Sequence, residues 1–341
     1  MSLTAAALRR VAVVIQATTA GALAVWLALG ADWPWTMALA GALAAVLLGF
    51  AASVAMAFAA TLGGLGIARA DRFTLPADTL PPRPIRTLPS WRGYLAECRA
   101  VFRMFNWLQP FRSRLTFTPP HRPLPDAPHV LLVHGYGCNH AVWLDMAPSL
   151  AAAGYRCEGI DLAPVLGDID DYAPQLLARM QDITTRTGRA PLLVCHSMGG
   201  LAARAAQVLA AGAGQTSPCA GIVTLGSPHH GCALARFGSG HNARQMRWRS
   251  AWLAALAAAE TPAMRARIVS IFSRHDSIAG PLGTSWLPGA RHLVLDDIGH
   301  VSLLRDARAI DATIEALSML RAAPGSAQAQ HHRAVLAPRF M

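Results

Sequence analysis

The chain has 341 residues, and its 30 basic against 19 acidic residues give a formal net charge of +11. All the basic residues are arginine, which excludes chemistry that needs a lysine amine, such as a Schiff base or a phosphate-binding P-loop lysine. Hydrophobic residues make up 53% of the chain and charged residues only 14%. This composition is too apolar for a disordered chain and high for a wholly soluble one, so membrane-spanning segments are expected.

Two apolar stretches near the N-terminus predict a helical hairpin. No charged residue lies between Arg10 and Asp32 or between Asp32 and Arg69, and about 20 helical residues cross a bilayer. We predict transmembrane helices over residues 11–31 and 36–58, with two Trp residues of the connector at the membrane interface. A cleaved signal peptide is the alternative, but the first stretch exceeds the usual run of about 7–15 apolar residues and a second, longer stretch follows.

Arginines flank both outer ends of this hairpin and are absent from its connector. Because basic residues collect on the cytoplasmic side of a membrane, we expect everything after the hairpin to lie in the cytoplasm, with the periplasm as the alternative. The spacing of the six cysteines is not that of a disulfide framework. In the cytoplasm, which is reducing, we expect all six to be reduced. In the periplasm, Cys219 and Cys232 would be a candidate pair.

Composition divides the chain into four parts. In order they are the hairpin, a linker rich in Pro and Arg, an α/β domain and a tail predicted to be disordered: residues 1–68, 69–126, 127–322 and 323–341.

Within the linker, apolar residues from Trp91 to Leu108 recur at helical spacing and predict an amphipathic helix. Such a helix either packs on the next domain or lies in an anionic membrane surface. Ten arginines against three acidic residues between positions 69 and 122 leave both interpretations open. No nucleic-acid recognition motif accompanies the positive charge, so we expect no nucleic-acid partner.

From residue 127 onward, predicted strands alternate with predicted helices. The strands fall at residues 129–133, 156–160, 191–195, 222–225, 267–272 and 292–295, and the helices at residues 141–153, 172–187, 198–211 and 306–321. This alternation is typical of a mostly parallel sheet with helices on both faces. Ligands of such folds bind at the carboxyl ends of the strands.

A serine directly follows the third predicted strand. Ser197 stands between His196 and Met198, with Gly199 and Gly200 next, before an Ala-rich helix. A sharp strand-to-helix turn holds a serine side chain clear of the backbone, and small neighbours allow the helix to leave close to the strand. The amide of Met198, at the start of that helix, can then face a developing oxyanion.

Three further polar positions follow other strand ends. His134-Gly135-Tyr136-Gly137 comes after the first strand, where the Tyr136 amide can supply a second oxyanion donor. Asp276 and His300 follow the last two strands. The chain order is therefore nucleophile, acid, histidine, each just past a strand.

These segments resemble the α/β-hydrolase superfamily, and within it the bacterial triacylglycerol lipases and esterases, over roughly residues 127–322. The turn from Gly226 to Gly231 adds to the resemblance. The family implies no cofactor, and it implies these roles: Ser197 as nucleophile, His300 as general base and acid, Asp276 as its orienting acid, the amides of Tyr136 and Met198 as the oxyanion hole, and His134, Gly135, Gly137, His196 and Gly199 as motif-supporting residues. One departure is Cys195, which stands where the family's Gly-x-Ser-x-Gly begins with Gly.

Several residues compete for these roles. Asp296 and Asp297 precede His300 on the same loop and are alternative acids, and His196 is expected to pack beneath the turn rather than act as base. No metal site is expected, for two reasons. The residues His229, His230, Cys232 and His241 lack the paired spacing of a zinc site. The residues Asp168, Asp170 and Asp171 lack the Gly and Glu of a calcium loop and are expected in a solvated acidic loop.

The sequence thus predicts a membrane-anchored serine hydrolase that cleaves lipid or other acyl esters, in the inner membrane of a bacterium. Its expected partners are the membrane and an acyl-ester substrate; no residue pattern points to a protein partner. A cap over the acyl pocket is expected between residues 226 and 261, where Met246, Trp248 and Trp252 lie. Alternatives are a thioesterase, amidase or acyltransferase with the same triad, and a catalytically silent membrane adaptor.

Overall fold

The computed structural model describes residues 4–63, 88–119, 127–215, 218–281 and 283–322. Two helices open the chain, α1 (Ala5–Gly30) and α2 (Trp35–Gly63). Helix α1 begins six residues before the predicted span because the Thr4 hydroxyl caps it, accepting from the Ala7 amide at 3.2 Å. Both helices are long and apolar enough to cross a membrane, a property that signal sequences share. Only 6% and 17% of their most apolar windows are buried, unlike the core helices of a soluble protein.

The predicted amphipathic helix is confirmed as α3 (Trp91–Arg103), which continues through one π-helical turn (Met104–Leu108) into the short α4 (Gln109–Phe111). One face is buried in the following domain, through Ala100, Met104 and Leu108. The opposite face leaves large apolar side chains exposed, among them Trp91, Leu95, Phe102 and Trp107. Residues 64–68 of the predicted hairpin, residues 69–87 and 120–126 of the predicted linker and the predicted tail lie outside the described residues.

Six parallel strands form one sheet, and all six were predicted from the sequence. They are β1 (His129–Val133), β2 (Arg156–Ile160), β3 (Leu192–His196), β4 (Gly221–Leu225), β5 (Ile268–Ser273) and β6 (Arg291–Leu295). Their order is β2-β1-β3-β4-β5-β6. The three strands β3, β4 and β5 are buried at every residue, which is why they read as continuous apolar runs.

Helices cover both faces of this sheet. The helices of this domain are α5 (Ala147–Ala152), α6 (Ile169–Thr187), α7 (Met198–Gly212), α8 (His241–Gln245), α9 (Ala251–Ala259), α10 (Pro262–Arg265) and α11 (Ala307–Ala322). Because neighbouring strand residues point to opposite faces, Leu132 packs in one core with α3, α5 and α11, while Leu131 packs in a second core with α6 and α7. The predicted architecture, a parallel α/β sheet preceded by two apolar helices, is confirmed.

The helix predicted over residues 141–153 is wrong as one element. A 3₁₀ turn (His140–Trp143) comes first, and the Asn139 side chain caps it by accepting from the Ala141 amide at 3.1 Å. Helix α5 then starts separately at Ala147. Pro148 in its first turn has no N–H to donate to a preceding turn, so the two segments cannot merge.

The acidic loop predicted around Asp168 is also wrong. Asp168 is the N-cap of α6, and its Oδ1 accepts from the Asp170 amide at 3.1 Å. Asp170 and Asp171 occupy the first helical turn, where carboxylates interact favourably with the positive end of the helix dipole.

Candidate active site

Ser197 sits at a strained turn between β3 and α7. Its backbone has φ 54° and ψ −122°, a conformation that residues other than glycine rarely adopt. The turn is held by the Ser197 amide, which donates to the Leu225 carbonyl at 2.9 Å. A Cβ on Gly199 would lie only 2.6 Å from the Val133 carbonyl oxygen, so glycine is required where α7 leaves the sheet. Cys195, the departure from the family pattern, is a fully buried residue of β3 and does not prevent this turn.

Asp276 and His300 meet just beyond the ends of β5 and β6. The Asp276 Oδ2 lies 2.8 Å from the His300 Nδ1, and both side chains are almost fully buried. The other carboxylate oxygen, Oδ1, accepts from the amides of Ile278 and Ala279 at 2.8 and 2.6 Å. The carboxylate is thus fixed on one side by backbone and on the other by the imidazole.

The electrostatics of this pair favour a protonated His300. Burial lowers the pKa of His300. The negative charge of Asp276 and its hydrogen bond to the ring raise the pKa, as does the charge of Glu97, and together they outweigh burial. The pKa of His300 is therefore raised above 6.5. The bond to Asp276 occupies Nδ1 and leaves Nε2 to exchange a proton with another group.

Gly226, at the turn after β4, backs the Asp276–His300 pair. Its φ of +57° suits glycine, and a Cβ there would lie 2.9 Å from Asp276 Oδ2 and 3.0 Å from His300 Nδ1. The turn that contributed to the family resemblance therefore makes room for the acid and the histidine.

His196 joins the turn of Ser197 to the histidine loop. Its ring centroid lies 4.6 Å from that of His300, and its Nε2 is 3.2 Å from the His300 carbonyl oxygen. Burial and the neighbouring His300 lower the pKa of His196 well below its ordinary value, so it packs beneath the turn as a neutral ring. Across the described residues, Ser197 Oγ and His300 share no hydrogen bond, and the hydrogen bond of the His300 ring is the one to Asp276.

The loop after β1 brings the second expected oxyanion donor to the same edge. His134 is buried, and its Nε2 accepts from the Leu162 amide at 3.0 Å, so Nδ1 carries the proton and donates to the Gly135 carbonyl at 2.8 Å. A Cβ on Gly135 would lie 3.0 Å from the Ser197 Cβ, so the loop passes directly over the serine. In the described structure, the amides of Tyr136 and Met198 donate to no protein acceptor, so both can donate to an oxyanion.

The competing acids are engaged elsewhere. Asp296 forms an ion pair with Arg274, and Asp297 accepts a hydrogen bond from the Ser90 amide at 2.6 Å. Asp276 is the carboxylate whose hydrogen bond reaches the His300 ring. The family resemblance implied Asp276 for this role, with Asp296 and Asp297 as alternatives.

The histidines after β4 are part of the packing. His229 is buried beside Thr224 and Arg204, whose guanidinium pairs with the equally buried Glu260 at 2.6 Å. Among the residues that the structure describes, no group of three His, Cys, Asp or Glu side chains could hold a metal ion. All six cysteines are free thiols.

The segment in which a cap is expected, residues 226–261, contains a 3₁₀ turn (Ala233–Phe237), α8 and α9. Met246 is buried in the core that contains α6 and α7, and Trp252 packs against it while its Nε1 donates to Asp170 at 2.9 Å. These two side chains therefore join this segment to the rest of the domain.

Sequence reasoning missed Glu97, which it counted only as a charge. Glu97 is completely buried, and its carboxylate contacts the loops of Asp276 and His300. A signal was present, because Gly93, Glu97, Ala100 and Met104 share the inward helical spacing, and a carboxylate on a buried face needs partners.

Comparison with known proteins agrees with this architecture. A family model described as the alpha/beta hydrolase family matches residues 130–336. Among solved structures, a lipase of Bacillus licheniformis in its mature form is 20% identical, with a TM-score of 0.51 over 60% of this chain and 96% of its own. Lipase B of Aspergillus fumigatus is 15% identical, with a TM-score of 0.50 over 60% of this chain and 57% of its own. At these identities the similarity shows the fold. No curated protein sequence matches the chain.

Proposed function

Because the chain belongs to the alpha/beta hydrolase family, we propose that it is a membrane-anchored serine hydrolase that cleaves carboxylic esters, with lipid acyl esters as its substrates. The observation that carries this proposal is the buried contact of 2.8 Å between His300 Nδ1 and Asp276 Oδ2. It lies at the edge of the sheet where the strained Ser197 also stands. A hydrolase that uses a serine needs a nucleophile, a histidine, an acid and two amide donors. The arrangement at this edge supports Ser197, His300 and Asp276 in the first three roles.

In the proposed mechanism, the His300 Nε2 removes the Ser197 proton as Oγ attacks the ester carbonyl. The oxyanion accepts hydrogen bonds from the amides of Tyr136 and Met198. His300 then protonates the leaving alcohol, which leaves an acyl group on Oγ. Water, deprotonated by the same histidine, attacks the acyl carbonyl. The bond from this carbon to Ser197 Oγ then breaks, His300 returns the proton to Oγ, and the carboxylic acid is released. Asp276 keeps the imidazole in the tautomer that this sequence of proton transfers needs.

The N-terminal region supports a lipid substrate. Helices α1 and α2 have the length and apolarity of membrane spans, and α3 presents exposed Trp91, Leu95 and Phe102 beside them. A water-soluble domain has little reason to expose such a face unless a partner or lipid covers it. Excess arginine on the outer ends of the hairpin favours the cytoplasmic side for the hydrolase domain.

A fluorophosphonate probe tests the chemistry directly. The detergent-solubilised full-length protein should react at Ser197, while Ser197→Ala should not. Hydrolysis of p-nitrophenyl butyrate and palmitate would then rank acyl chain lengths, and matched thioester and anilide substrates would separate an esterase from a thioesterase or amidase. Added alcohols would reveal acyl transfer. A folded wild-type protein that does not react would refute the serine hydrolase and favour a membrane adaptor.

Membrane placement is tested separately. The chain should remain in the membrane fraction after alkaline carbonate extraction, and a C-terminal green fluorescent protein fusion should fluoresce while an alkaline phosphatase fusion stays inactive. The reverse pattern would place the domain in the periplasm. Release of the chain by carbonate would contradict the anchoring.

A further inference from the structure

The helix α3 carries a buried carboxylate that contacts both loops of the candidate active site. Glu97 Oε1 accepts from the Ser277 hydroxyl at 2.6 Å and from the Val301 amide at 3.0 Å, while Oε2 accepts from the Ser302 amide at 2.8 Å. Ser277 follows Asp276, and Val301 follows His300. One side chain therefore holds the residues next to both members of the acid–histidine pair.

The loop of His300 packs tightly against the Glu97 side chain. A Cβ on Gly299 would lie 2.3 Å from the Glu97 carboxyl, so the histidine loop closes directly onto this side chain. The Ser277 hydroxyl, which donates to Glu97, also accepts from the His300 amide at 3.3 Å. Three donors, and no Arg side chain, satisfy the Glu97 carboxylate in the described structure.

Two neighbouring contacts repeat the pattern. The Thr61 hydroxyl, near the end of α2, donates to the Ser277 carbonyl at 3.0 Å. The Ser90 amide, at the start of α3, donates to the Asp297 carboxylate at 2.6 Å. Tyr94 ties the two helices together, its hydroxyl donating to the Ala51 carbonyl of α2 at 2.6 Å.

We propose that Glu97 is a positioning residue of the active site, through which α3 and the end of the hairpin hold Asp276 and His300 in register. This role rests on the proposed serine hydrolase activity. A hydrogen-bonded carboxylate is suited to it, because bonds to a charged acceptor are short and roughly twice as strong as neutral ones. The charges of Glu97 and Asp276 both act on the His300 ring, and the neutral ring of His196 is its other titratable neighbour.

The test is Glu97→Gln in the full-length, detergent-solubilised enzyme, assayed with p-nitrophenyl butyrate. Gln has one acceptor oxygen, so its NH₂ would face one of the three donors. We expect kcat to fall about tenfold, or ~1.4 kcal/mol in the barrier, with KM little changed. Because the charge of Glu97 raises the pKa of His300, the acidic limb of kcat/KM should move to lower pH. A purely structural role would not move that limb.

Two further variants keep the test decisive. Thr61→Val removes a neutral contact to the same loop, so it should lower kcat less and leave the acidic limb in place. Glu315→Gln, on the exposed face of α11, is the matched control and should behave as wild type. Wild-type kcat and an unmoved limb in Glu97→Gln would overturn the positioning role. Failure of the wild-type enzyme to react with fluorophosphonate would instead overturn the hydrolase proposal, and this role with it.

A second observation concerns the other face of α3. A groove of about 600 Å³ lies between α2 and α3. We refer to it as the α2–α3 groove, and its lining residues are Leu47, Phe50, Ala51, Leu95, Cys98, Arg99, Phe102, Arg103, Trp107 and Arg305. Leu47 and Phe50 belong to the candidate span α2, so the apolar wall of this groove would face hydrocarbon.

The polar rim of the α2–α3 groove carries excess positive charge. Arg103 and Arg305 share one carboxylate, that of Asp145, at 2.7 and 3.5 Å. Arg99 forms no ion pair within the described ranges. The groove thus has three guanidinium groups in its lining, two of which share one carboxylate.

We infer that the α2–α3 groove binds one anionic phospholipid, with an acyl chain along Phe50 and Phe102 and the phosphate at Arg99. This inference rests on the membrane placement of the proposed function. Apolar walls suit the chain, and guanidinium groups bind phosphate through paired hydrogen bonds. A zwitterionic lipid would leave the excess charge of the rim uncompensated.

Thermal unfolding in a maltoside detergent tests the inference, in a Ser197→Ala background so that no lipid is hydrolysed. Phosphatidylglycerol should raise Tm more than phosphatidylcholine does, and Arg99→Gln should abolish that difference. Arg291→Gln, exposed at the start of β6, is the matched control and should retain it. Equal responses to the two lipids, or an undiminished difference in Arg99→Gln, would overturn the lipid site without affecting the hydrolase proposal.

Discussion

Replacing Gly226 with Ala tests how accurately Asp276 and His300 must be placed. A Cβ at this position would lie 2.9 Å from Asp276 Oδ2 and 3.0 Å from His300 Nδ1, whereas ordinary contacts begin at 3.4 Å. The carboxylate and the ring must therefore retreat by roughly half an ångström. Since a displacement of about 1 Å can cost about 10²-fold in rate, we expect kcat/KM to fall roughly tenfold. The left-handed backbone should add a stability loss of about 1–2 kcal/mol.

Gly188→Ala is the matched control for this prediction. Gly188 also has a positive φ, +71°, at the end of α6, but a Cβ there would meet no atom within 4 Å. In thermal unfolding, both variants should lose the stability that the left-handed backbone costs, with any larger loss in Gly226→Ala due to the clash, and only Gly226→Ala should lose hydrolysis of p-nitrophenyl butyrate. Full activity in Gly226→Ala, or an equal loss of activity in Gly188→Ala, would refute the steric argument.

Three further outcomes follow from the same contacts. Because the pKa of His300 is raised above 6.5 and catalysis needs its neutral form, kcat/KM should fall as pH drops through a value above 6.5; a limb below 6.5 would contradict this. Asp276→Asn should lower kcat by about 10⁴-fold in stopped or continuous ester assays without unfolding the protein, and near-wild-type activity would remove Asp276 from the mechanism. Glu260→Gln leaves the buried Arg204 without its carboxylate, so urea unfolding should show a loss of about 3–5 kcal/mol with fluorophosphonate labelling retained; a loss under 1 kcal/mol would contradict that account.

Much of the sheet could be predicted because buried parallel strands leave a direct record in the sequence. The runs that became β3, β4 and β5 are continuous apolar segments, each followed by polar or small residues that turn the chain. The order of the strands depends on pairings between distant segments, and no local pattern records those. The break between His140 and Ala147 was missed because the sequence pattern places Pro148 within one longer helix. In the structure Pro148 lies in the first turn of a separate helix, where Pro is favoured.

The candidate site shows the same division. Each strand end offered a functional residue, and the family resemblance implied Asp276 as the acid, but no local pattern excluded Asp296 or Asp297. That choice depends on which carboxylate has another partner, and Arg274 and Ser90 provide those partners through tertiary contacts. Glu97 was missed for a related reason, because its importance comes from loops that lie about 180 to 205 residues away along the chain.

The contacts of the N-terminal region converge on one edge of the sheet. Arg9 of α1 donates to the Gly137 carbonyl in the loop of the expected oxyanion hole at 3.4 Å, and Thr61 of α2 donates to the Ser277 carbonyl in the acid loop at 3.0 Å. Glu97 of α3 contacts the histidine loop. Because substrates of α/β folds bind at the carboxyl ends of the strands, a hairpin that spans a membrane would turn this edge toward the lipid. An ester held in the bilayer could then reach Ser197 with little of its acyl chain crossing water, which would avoid a cost of about 0.8 kcal/mol for each exposed CH₂.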